Sequence, residues 1–214
     1  MSAAAPTDEA LRLNWIREPQ SVQVGGAFLK DWVRENSEHC SEEDTRAVVE
    51  AVLRGLGWDT LTGEVAREGD VRLGDFHLYY GGAGPRGSGK ARRRIAVLIE
   101  AKRLEARPAQ LRRHPFQELV GYVRSLSDPG SLPAKERAWV EGVQLAARGD
   151  VFIRGVLTTG RLWWVYDFTH AQPSPDGGLL HLDLAESSVA GLQELLTVLG
   201  KEHICSEVEK FFRR

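Results

Sequence analysis

Cysteine and long apolar runs are the features that this sequence most clearly lacks. It has two cysteines, Cys40 and Cys205, which are far apart in the chain. Neither has a second thiol at metal-ligand spacing, which argues against a disulfide framework and a zinc knuckle. No apolar run approaches the roughly 20 residues of a membrane-spanning helix. The first residues lack the basic start and apolar stretch of a secretory signal, so we expect a cytoplasmic protein with no membrane contact.

The net charge, −2 over 214 residues, does not indicate a partner either, but its distribution is uneven. Between Arg86 and Arg113 there are ten basic residues and two acidic ones. Such a local positive field favours a nucleic-acid backbone as partner, and a solvated basic loop explains it equally well. Arg92, Arg93 and Arg94 are the candidate nucleic-acid contacts in this stretch.

The composition fits a globular protein with a real core, since 42% of residues are hydrophobic and 27% are charged. Helical and strand periodicities alternate along the chain and predict one α/β domain. The predicted elements are helices at 27–35, 42–56, 108–126 and 134–147, strands at 61–65, 71–80, 95–102 and 179–184, a hairpin of strands 151–158 and 161–168, and a helical remainder. We predict an N-terminal helical extension at 1–40, a core at 41–185, and a C-terminal helical segment at 186–214 packed on the same domain.

Two carboxylates and a lysine occupy the predicted strands. Asp75 falls in one strand, Glu100 ends the most apolar strand, and Lys102 lies two residues further on. Because residues i and i+2 of a strand point to the same face, Glu100 and Lys102 are expected side by side. Hard cations such as Mg²⁺ take carboxylate oxygens, and phosphodiester cleavage needs both a cation and a group that holds water. A structural ion pair at a strand end is the alternative, because Glu-x-Lys is a common tripeptide.

A set of segments in fixed order resembles a known family. The segments are SEEDTR, LRGLGWD, LGDFHL, IAVLIEAK, FQELVGYV and VLTTGRLWWVYDF, between Ser41 and Phe168. Together they resemble the N-terminal nuclease domain of type I restriction enzyme R subunits and its stand-alone relatives, in the PD-(D/E)XK superfamily. The resemblance implies a restriction-endonuclease-like core with a central mixed β-sheet flanked by helices. The sequence lacks the helicase motor of the restriction subunit, which leaves its target open.

The resemblance also implies a metal centre. Asp75 would be the principal ligand of Mg²⁺ or Mn²⁺, and Glu100 the second ligand, with the backbone carbonyl of Ala101 as an additional candidate. Lys102 would orient or activate the attacking water and stabilise developing negative charge.

Helical residues complete the implied site. Glu42 matches the family's helical acid, and the adjacent Glu43 competes for that role. Gln117 matches the glutamine of the following helix. Arg113 and Arg124 share its helix face and are candidate phosphate contacts, with a solvated helix face as the alternative.

The function that follows is a metal-dependent nuclease acting on DNA, in restriction, defence or repair. RNA and modified or branched DNA are alternative substrates. A catalytically silent nuclease-fold module that binds nucleic acid or protein is the alternative of a different class. Homodimerisation is compatible with cutting both strands of a duplex, but no interface can be named from the sequence.

Two further patterns favour structural interpretations. The segment 84–90 fits the start of a phosphate-binding P-loop, but Ala91 replaces the required Ser or Thr and a strand follows instead of a helix. The alternating aromatics of the hairpin, Trp163, Trp164 and Tyr166, could stack bases, but core packing is the expected role. His77 shares a strand face with Asp75, and a structural histidine is again the favoured interpretation.

Overall fold

A mixed β-sheet organises the part of the chain that the structure describes. The structure is a computed structural model, and it describes residues 42–58, 65–67, 73–81, 94–103, 113–187 and 189–214. The predicted helix at 27–35, residues 61–64 of the first predicted strand, and the P-loop-like segment at 84–91 lie outside the described residues. None of the described helices is long and apolar enough to cross a membrane.

The elements follow the predicted order over most of the described chain. The α-helices are α1 (Glu42–Gly55), α2 (His114–Ser127), α3 (Ala134–Val143), α4 (Val189–Leu199) and α5 (Lys201–Arg213). The strands are β1 (Val65–Arg67), β2 (Phe76–Tyr80), β3 (Arg94–Ala101), β4 (Ala146–Ala147), β5 (Asp150–Val151), β6 (Arg154–Thr158), β7 (Leu162–Asp167) and β8 (Leu180–Asp183).

Six of these strands form the central sheet, in the order β1-β2-β3-β6-β7-β8, and β4 pairs with β5 separately. The neighbours in the central sheet are antiparallel except β3 and β6, which are parallel. A parallel pair needs a long crossover connection, and α2 and α3 lie in the segment that provides it. The prediction of an α/β fold with a central mixed sheet flanked by helices is confirmed at this level.

Helices cover both faces of the sheet. One hydrophobic cluster joins α1, α4 and α5 to the strands, and a second joins α2 and α3 to them. Consecutive residues of β7, Trp163 and Trp164, belong to different clusters, as the alternation of a strand requires. Residues 95–101 of β3 are all buried, which explains why this strand reads as a continuous apolar run.

The end of α1 is set by Gly57, as predicted. Gly57 has φ +89°, its amide donates to the Arg54 carbonyl at 3.0 Å, and the Trp58 amide donates to the Leu53 carbonyl at 3.0 Å. This pair of bonds is the Schellman motif, which favours glycine because a Cβ is strained at positive φ. Trp58 then packs in the core and donates its indole N–H to the Leu199 carbonyl at 2.9 Å.

Three predicted boundaries are wrong, one of which is the start of the strand predicted from residue 151, since β6 begins at Arg154. The third described helix, α3, ends at Val143, and residues 146–147 of the predicted helix pair with 150–151 instead. The turn between them has φ 54° at Arg148 and 92° at Gly149, and positive φ at both central residues is typical of a tight hairpin turn. The strand predicted from residue 71 begins at Phe76, because Gly74 adopts φ +88° and Asp75 lies in a bend.

Candidate active site

The candidate site lies at one edge of the sheet, where β3 and β6 end. Since β2 runs antiparallel to β3, Asp75 immediately before β2 lies beside the end of β3. The Asp75 amide donates to the Ile99 carbonyl at 2.8 Å, and the Ala101 amide donates to Asp75 Oδ2 at 2.8 Å. Asp75, Glu100 and Lys102 therefore meet at this edge, while their chemical roles stay predictions.

Gly74 makes the close approach of Asp75 to β3 sterically feasible. A Cβ at this position would lie 2.8 Å from the Ile99 carbonyl oxygen, and the φ of +88° already disfavours a side chain. Any larger residue would push the segment away from β3. The Gly-Asp dipeptide is thus the local device that holds the carboxylate against the end of β3.

Arg46 of α1 contacts the same aspartate. Its Nη2 donates to Asp75 Oδ1 at 2.7 Å, so each carboxylate oxygen of Asp75 accepts a hydrogen bond. Arg46 Nη1 also lies 3.8 Å from Glu43 Oε2. The Asp75 side chain is 11% exposed and that of Arg46 is 28% exposed, so the pair is only partly accessible to water. We call Arg46 and Asp75 the aspartate half of the site.

Lys102 joins two carboxylates on the α2 side. Its Nζ lies 2.5 Å from Glu100 Oε1 and 2.9 Å from Glu118 Oε2. The first contact follows from the two-residue spacing along the end of β3, whereas the second comes from a helix. Glu118 Oε1 is in turn 3.4 Å from Nδ1 of the exposed His114. We call Glu100, Lys102 and Glu118 the glutamate half.

The glutamate half has one ammonium group, that of Lys102, and two carboxyl groups, so its negative charge exceeds its positive charge when both glutamates are ionised. Burial raises the pKa of Glu100 to about 7, and the negative charges of Asp75 and Glu118 add to this rise against the opposing effect of Lys102. Burial alone would lower the pKa of Lys102, but its bonds to Glu100 and Glu118 outweigh burial and raise it. Lys102 is therefore protonated at neutral pH.

The negative charges of the glutamate half also affect the pKa of Tyr122. Its pKa is raised, mainly by burial and then by the negative charges of Glu100 and Glu118. The phenol is therefore a proton donor at neutral pH and not an anion. Tyr122 lies one helical turn after Glu118, on the same side of α2.

The β6–β7 turn supports the end of β3. The Lys102 amide donates to the Thr158 carbonyl at 2.8 Å. The Thr158 hydroxyl donates to the Leu162 carbonyl at 2.8 Å and accepts from the Gly160 amide at 2.9 Å. Gly160 has φ +79°, and a Cβ there would come within 3.2 Å of Val48 in α1. The Thr-Thr-Gly segment thus connects the backbone of Lys102 to α1.

The donor set at this edge fits a hard divalent cation. Within the described residues, no group of three or more His, Cys, Asp or Glu side chains is arranged to hold a metal ion. Mg²⁺, however, is commonly bound by one or two carboxylates together with waters and substrate phosphates, so the residue types of Asp75 and Glu100 are compatible with it. The rise in the pKa of Glu100 caused by its acidic neighbours shows a repulsion that a cation would relieve.

Comparison with known proteins was made at three levels. No family model, curated protein or solved structure matches the chain. The support for the candidate site therefore comes from the geometry of its residues and from the sequence resemblance.

The remaining predicted residues lie at different distances from the carboxylates. Glu42 begins α1, and its side chain lies outside what the structure describes. Arg113, Gln117 and Arg124 are exposed on α2. Arg94 begins β3, about 20 Å from Glu100 at the usual rise per residue, and it donates to the Gln144 carbonyl. Arg92 and Arg93 lie outside the described residues.

Sequence reasoning did not find Glu118 and Tyr122, although the helix itself was predicted. The buried stripe of α2 is flanked by two polar faces, one with Arg113, Gln117 and Arg124 and the other with His114, Glu118 and Tyr122. Periodicity identifies both flanks but does not show which one faces the end of β3. In the structure the Glu118 flank contacts Lys102, and Gln117 is exposed to solvent.

The structural interpretations of His77 and the hairpin aromatics are confirmed. His77 is 2% exposed and its Nε2 is 2.9 Å from the Leu73 carbonyl oxygen, so burial lowers its pKa and the ring is neutral. Trp163, Trp164 and Tyr166 are all buried, which leaves no ring face for a nucleic-acid base.

Proposed function

We propose that this protein is a metal-dependent nuclease that hydrolyses phosphodiester bonds in DNA, on a restriction-endonuclease-like core. The observation that carries the proposal is the meeting of Asp75, Glu100 and Lys102 at one sheet edge. The resemblance to PD-(D/E)XK nucleases implies an aspartate in one strand and a Glu-x-Lys at the end of the next, and the meeting of these side chains at one sheet edge supports it. A solvent-facing lysine alone, without the two carboxylates, would not support the same conclusion.

In this proposal Asp75 and Glu100 hold Mg²⁺ or Mn²⁺. The bound cation would supply charge neutralisation at the phosphate and activation of water. Asp75 is held in place by the Ala101 amide, which fixes one of its oxygens against β3. Glu100 binds a cation in its ionised form, which its pKa of about 7 makes available above neutral pH.

Lys102 acts as a cation in this proposal and not as a proton acceptor. Its raised pKa keeps the ammonium charged at neutral pH and through the range in which Glu100 ionises. An ammonium has three donors, so Lys102 can orient a water and stabilise negative charge that develops on the phosphate. Glu118 is a positioning residue, because it holds Lys102 from the side opposite Glu100.

Two exposed arginines, Arg113 and Arg124, are compatible with a phosphate-rich partner and lie on the flank of α2 that does not contact Lys102. Arg113 is the residue immediately before α2, at the end of the helix that carries Glu118, and Arg124 lies further along the same helix. Phosphate contacts of this kind position a nucleic acid without reading its sequence. DNA is the proposed substrate, with RNA or modified and branched DNA as the alternatives to be compared with it.

A binding module without catalysis is the second candidate. It is favoured by the internal pairing of the charges, since Asp75 is bonded to Arg46, and Lys102 is bonded to Glu100 and Glu118. Such pairs can serve stability alone. This candidate predicts nucleic-acid or protein binding that needs no divalent cation, with an affinity for nucleic acid that falls as salt rises.

The experiment that separates the candidates is a substrate panel. The purified chain is incubated with supercoiled plasmid, linear duplex, single-stranded DNA and RNA in Mg²⁺, Mn²⁺ or EDTA, beside Asp75→Ala. The nuclease predicts cleavage that needs the cation and is lost in the variant, and the substrate that is cut defines the class. Cation-dependent cleavage that persists in a clean Asp75→Ala preparation would refute the assignment of Asp75. No cleavage of any substrate, with no Mn²⁺ bound in calorimetry, would favour the binding module.

A further inference from the structure

Arg46 donates a hydrogen bond to a carboxylate oxygen of Asp75 that the proposed metal site would use. Its Nη2 is 2.7 Å from Asp75 Oδ1, and the other oxygen of Asp75 accepts from the Ala101 amide. Backbone of the central strand β3 fixes the Ala101 bond, so Oδ1 is the oxygen that can change partner. A divalent cation at Oδ1 would face a guanidinium at hydrogen-bonding distance, and like charges that close repel strongly in a partly buried site.

A second acceptor for Arg46 lies on its own helix. Glu43, three residues earlier on α1, places Oε2 3.8 Å from Arg46 Nη1. This carboxylate is 64% exposed, while Asp75 is 11% exposed, so a shift of the guanidinium towards Glu43 moves it away from the site and into water. Arg46 thus has a partner on either side, one inside the site and one outside it.

We propose that Arg46 is a counter-cation that exchanges with the metal: it neutralises Asp75 in the metal-free protein and moves to Glu43 when a divalent cation binds. This inference rests on the proposed function, because it assumes that Asp75 is a metal ligand. It assigns Glu43 to holding the displaced arginine and not to the metal. The cost of moving Arg46 makes the site weaker for metal than its two carboxylates alone would be.

The exchange predicts that substitutions of Arg46 and Glu43 change the affinity for the metal in opposite directions. Arg46→Met keeps the length of the side chain and removes the competing charge, so metal binding becomes tighter. Glu43→Gln removes the outer partner of Arg46 and leaves the inner one, so metal binding becomes weaker. The control is a matched pair on the same helix, Arg54 and Glu50, whose side chains lie 3.9 Å apart. The corresponding variants of this pair measure any effect on metal binding that comes only from changing a charge on α1.

The test is calorimetric titration of the metal-free full chain with Mn²⁺. We expect the dissociation constant to fall roughly fivefold or more in Arg46→Met, the size of a modest coupling between two sites. It should rise about twofold in Glu43→Gln, as for the loss of an exposed ion pair. Arg54→Met and Glu50→Gln should bind like the wild type, and Asp75→Asn should lose binding. As a second readout, Mn²⁺ should raise the melting temperature of Arg46→Met more than that of the wild type.

Each other outcome has a defined meaning. Unchanged or weaker Mn²⁺ binding in Arg46→Met, with binding in the wild type that depends on Asp75, would overturn the exchange and leave the proposed metal site intact. Unchanged or tighter binding in Glu43→Gln would overturn it equally. Failure of both the wild type and Arg46→Met to bind Mn²⁺ would overturn the metal site itself. Mn²⁺ binding by Arg46→Met but not by the wild type would support the exchange, because it would mean that Arg46 prevents metal binding in the wild type.

Discussion

The two halves of the site balance their charges differently. In the aspartate half Arg46 bonds to the partly buried Asp75, its longer contact is to the exposed Glu43, and a backbone amide adds a second bond to Asp75. In the glutamate half one lysine is shared by two glutamates, of which Glu100 is almost completely buried. Burial raises the pKa of Glu100 in the glutamate half, and the nearby negative charges of Asp75 and Glu118 add to the rise. In the proposed metal site, the aspartate half would fix the geometry and the glutamate half would provide the attraction for a cation.

Removing the cation from each half should have unequal effects. Lys102→Met leaves two carboxylates without their shared partner, and we expect a loss of about 2–3 kcal/mol of unfolding free energy, somewhat less than for a fully buried pair. Arg46→Met leaves Asp75 bonded to Ala101, so about 1 kcal/mol is expected. Urea denaturation in EDTA at pH 8 measures both. Equal losses would contradict the unequal charge balance of the halves.

Gly74→Ala should damage the aspartate half through the backbone. A Cβ there would clash with the Ile99 carbonyl and oppose the positive φ, so we expect a loss of about 2 kcal/mol and weaker Mn²⁺ binding. Gly121→Ala is the matched control, since a Cβ at this helical position meets nothing within 4 Å. We expect the control to be neutral or slightly stabilising. A Gly74→Ala protein as stable as the wild type would show that the approach of Asp75 to β3 is not tight.

Two adjacent residues of α2, Gln117 and Glu118, can be tested to compare the role that the structure indicates with the role that the family resemblance implies. The structure places Glu118 against Lys102, whereas the resemblance matches the exposed Gln117 to the glutamine of the family's following helix. We expect Glu118→Gln to lower cleavage about tenfold, a typical size for a misplaced catalytic group, and to shift the pH profile to lower pH because Glu100 loses an acidic neighbour. Gln117→Ala should do neither. A larger loss in Gln117→Ala, with an unchanged pH profile in Glu118→Gln, would reverse the assignment.

The glutamate half should also make metal-free stability depend on pH. The pKa of Glu100 is about 7 in the folded protein against an ordinary value of 4.5, so the folded state binds this proton more tightly than the unfolded state. The stabilisation is complete below the unfolded value and is lost as pH rises through about 7. Between about pH 5 and pH 8 the wild type should lose roughly 2–3 kcal/mol relative to Glu100→Gln. Denaturation of both proteins in EDTA checks the sign, and a wild type that gains stability over this range would contradict it.

The features predicted from sequence are those set by local pattern. The apolar run of β3, the end of α1 at Gly57 and the two-residue spacing of Glu100 and Lys102 each depend on neighbouring residues. The contacts that complete the site depend on helix rotation. Arg46 reaches Asp75 across 29 positions, and Glu118 reaches Lys102 because one polar flank of α2 faces β3 and not the other. The pattern along a helix gives its buried stripe but does not show which neighbour lies beside each flank.

The boundaries that were wrong have a similar cause. α3 ends where Gln144 adopts an extended conformation, and the residues that follow form a hairpin with positive φ at Arg148 and Gly149. An arginine at the first of these two positions does not predict such a turn. Asp75 was predicted within a strand because the residues around it are apolar. Its position in a bend follows from the φ of Gly74, which the sequence permits but does not require.

The most direct test of the account is the rate at which the protein nicks supercoiled plasmid, measured in Mn²⁺ at pH 8 with equal folded fractions of wild type and Lys102→Met. The account predicts cleavage by the wild type that EDTA abolishes, and a loss of at least about a hundredfold in the variant, since a positioned charge at the reacting phosphate is worth that much. Equal rates in the two proteins would contradict the account, because the nuclease activity would then not depend on the lysine at the centre of the proposed site.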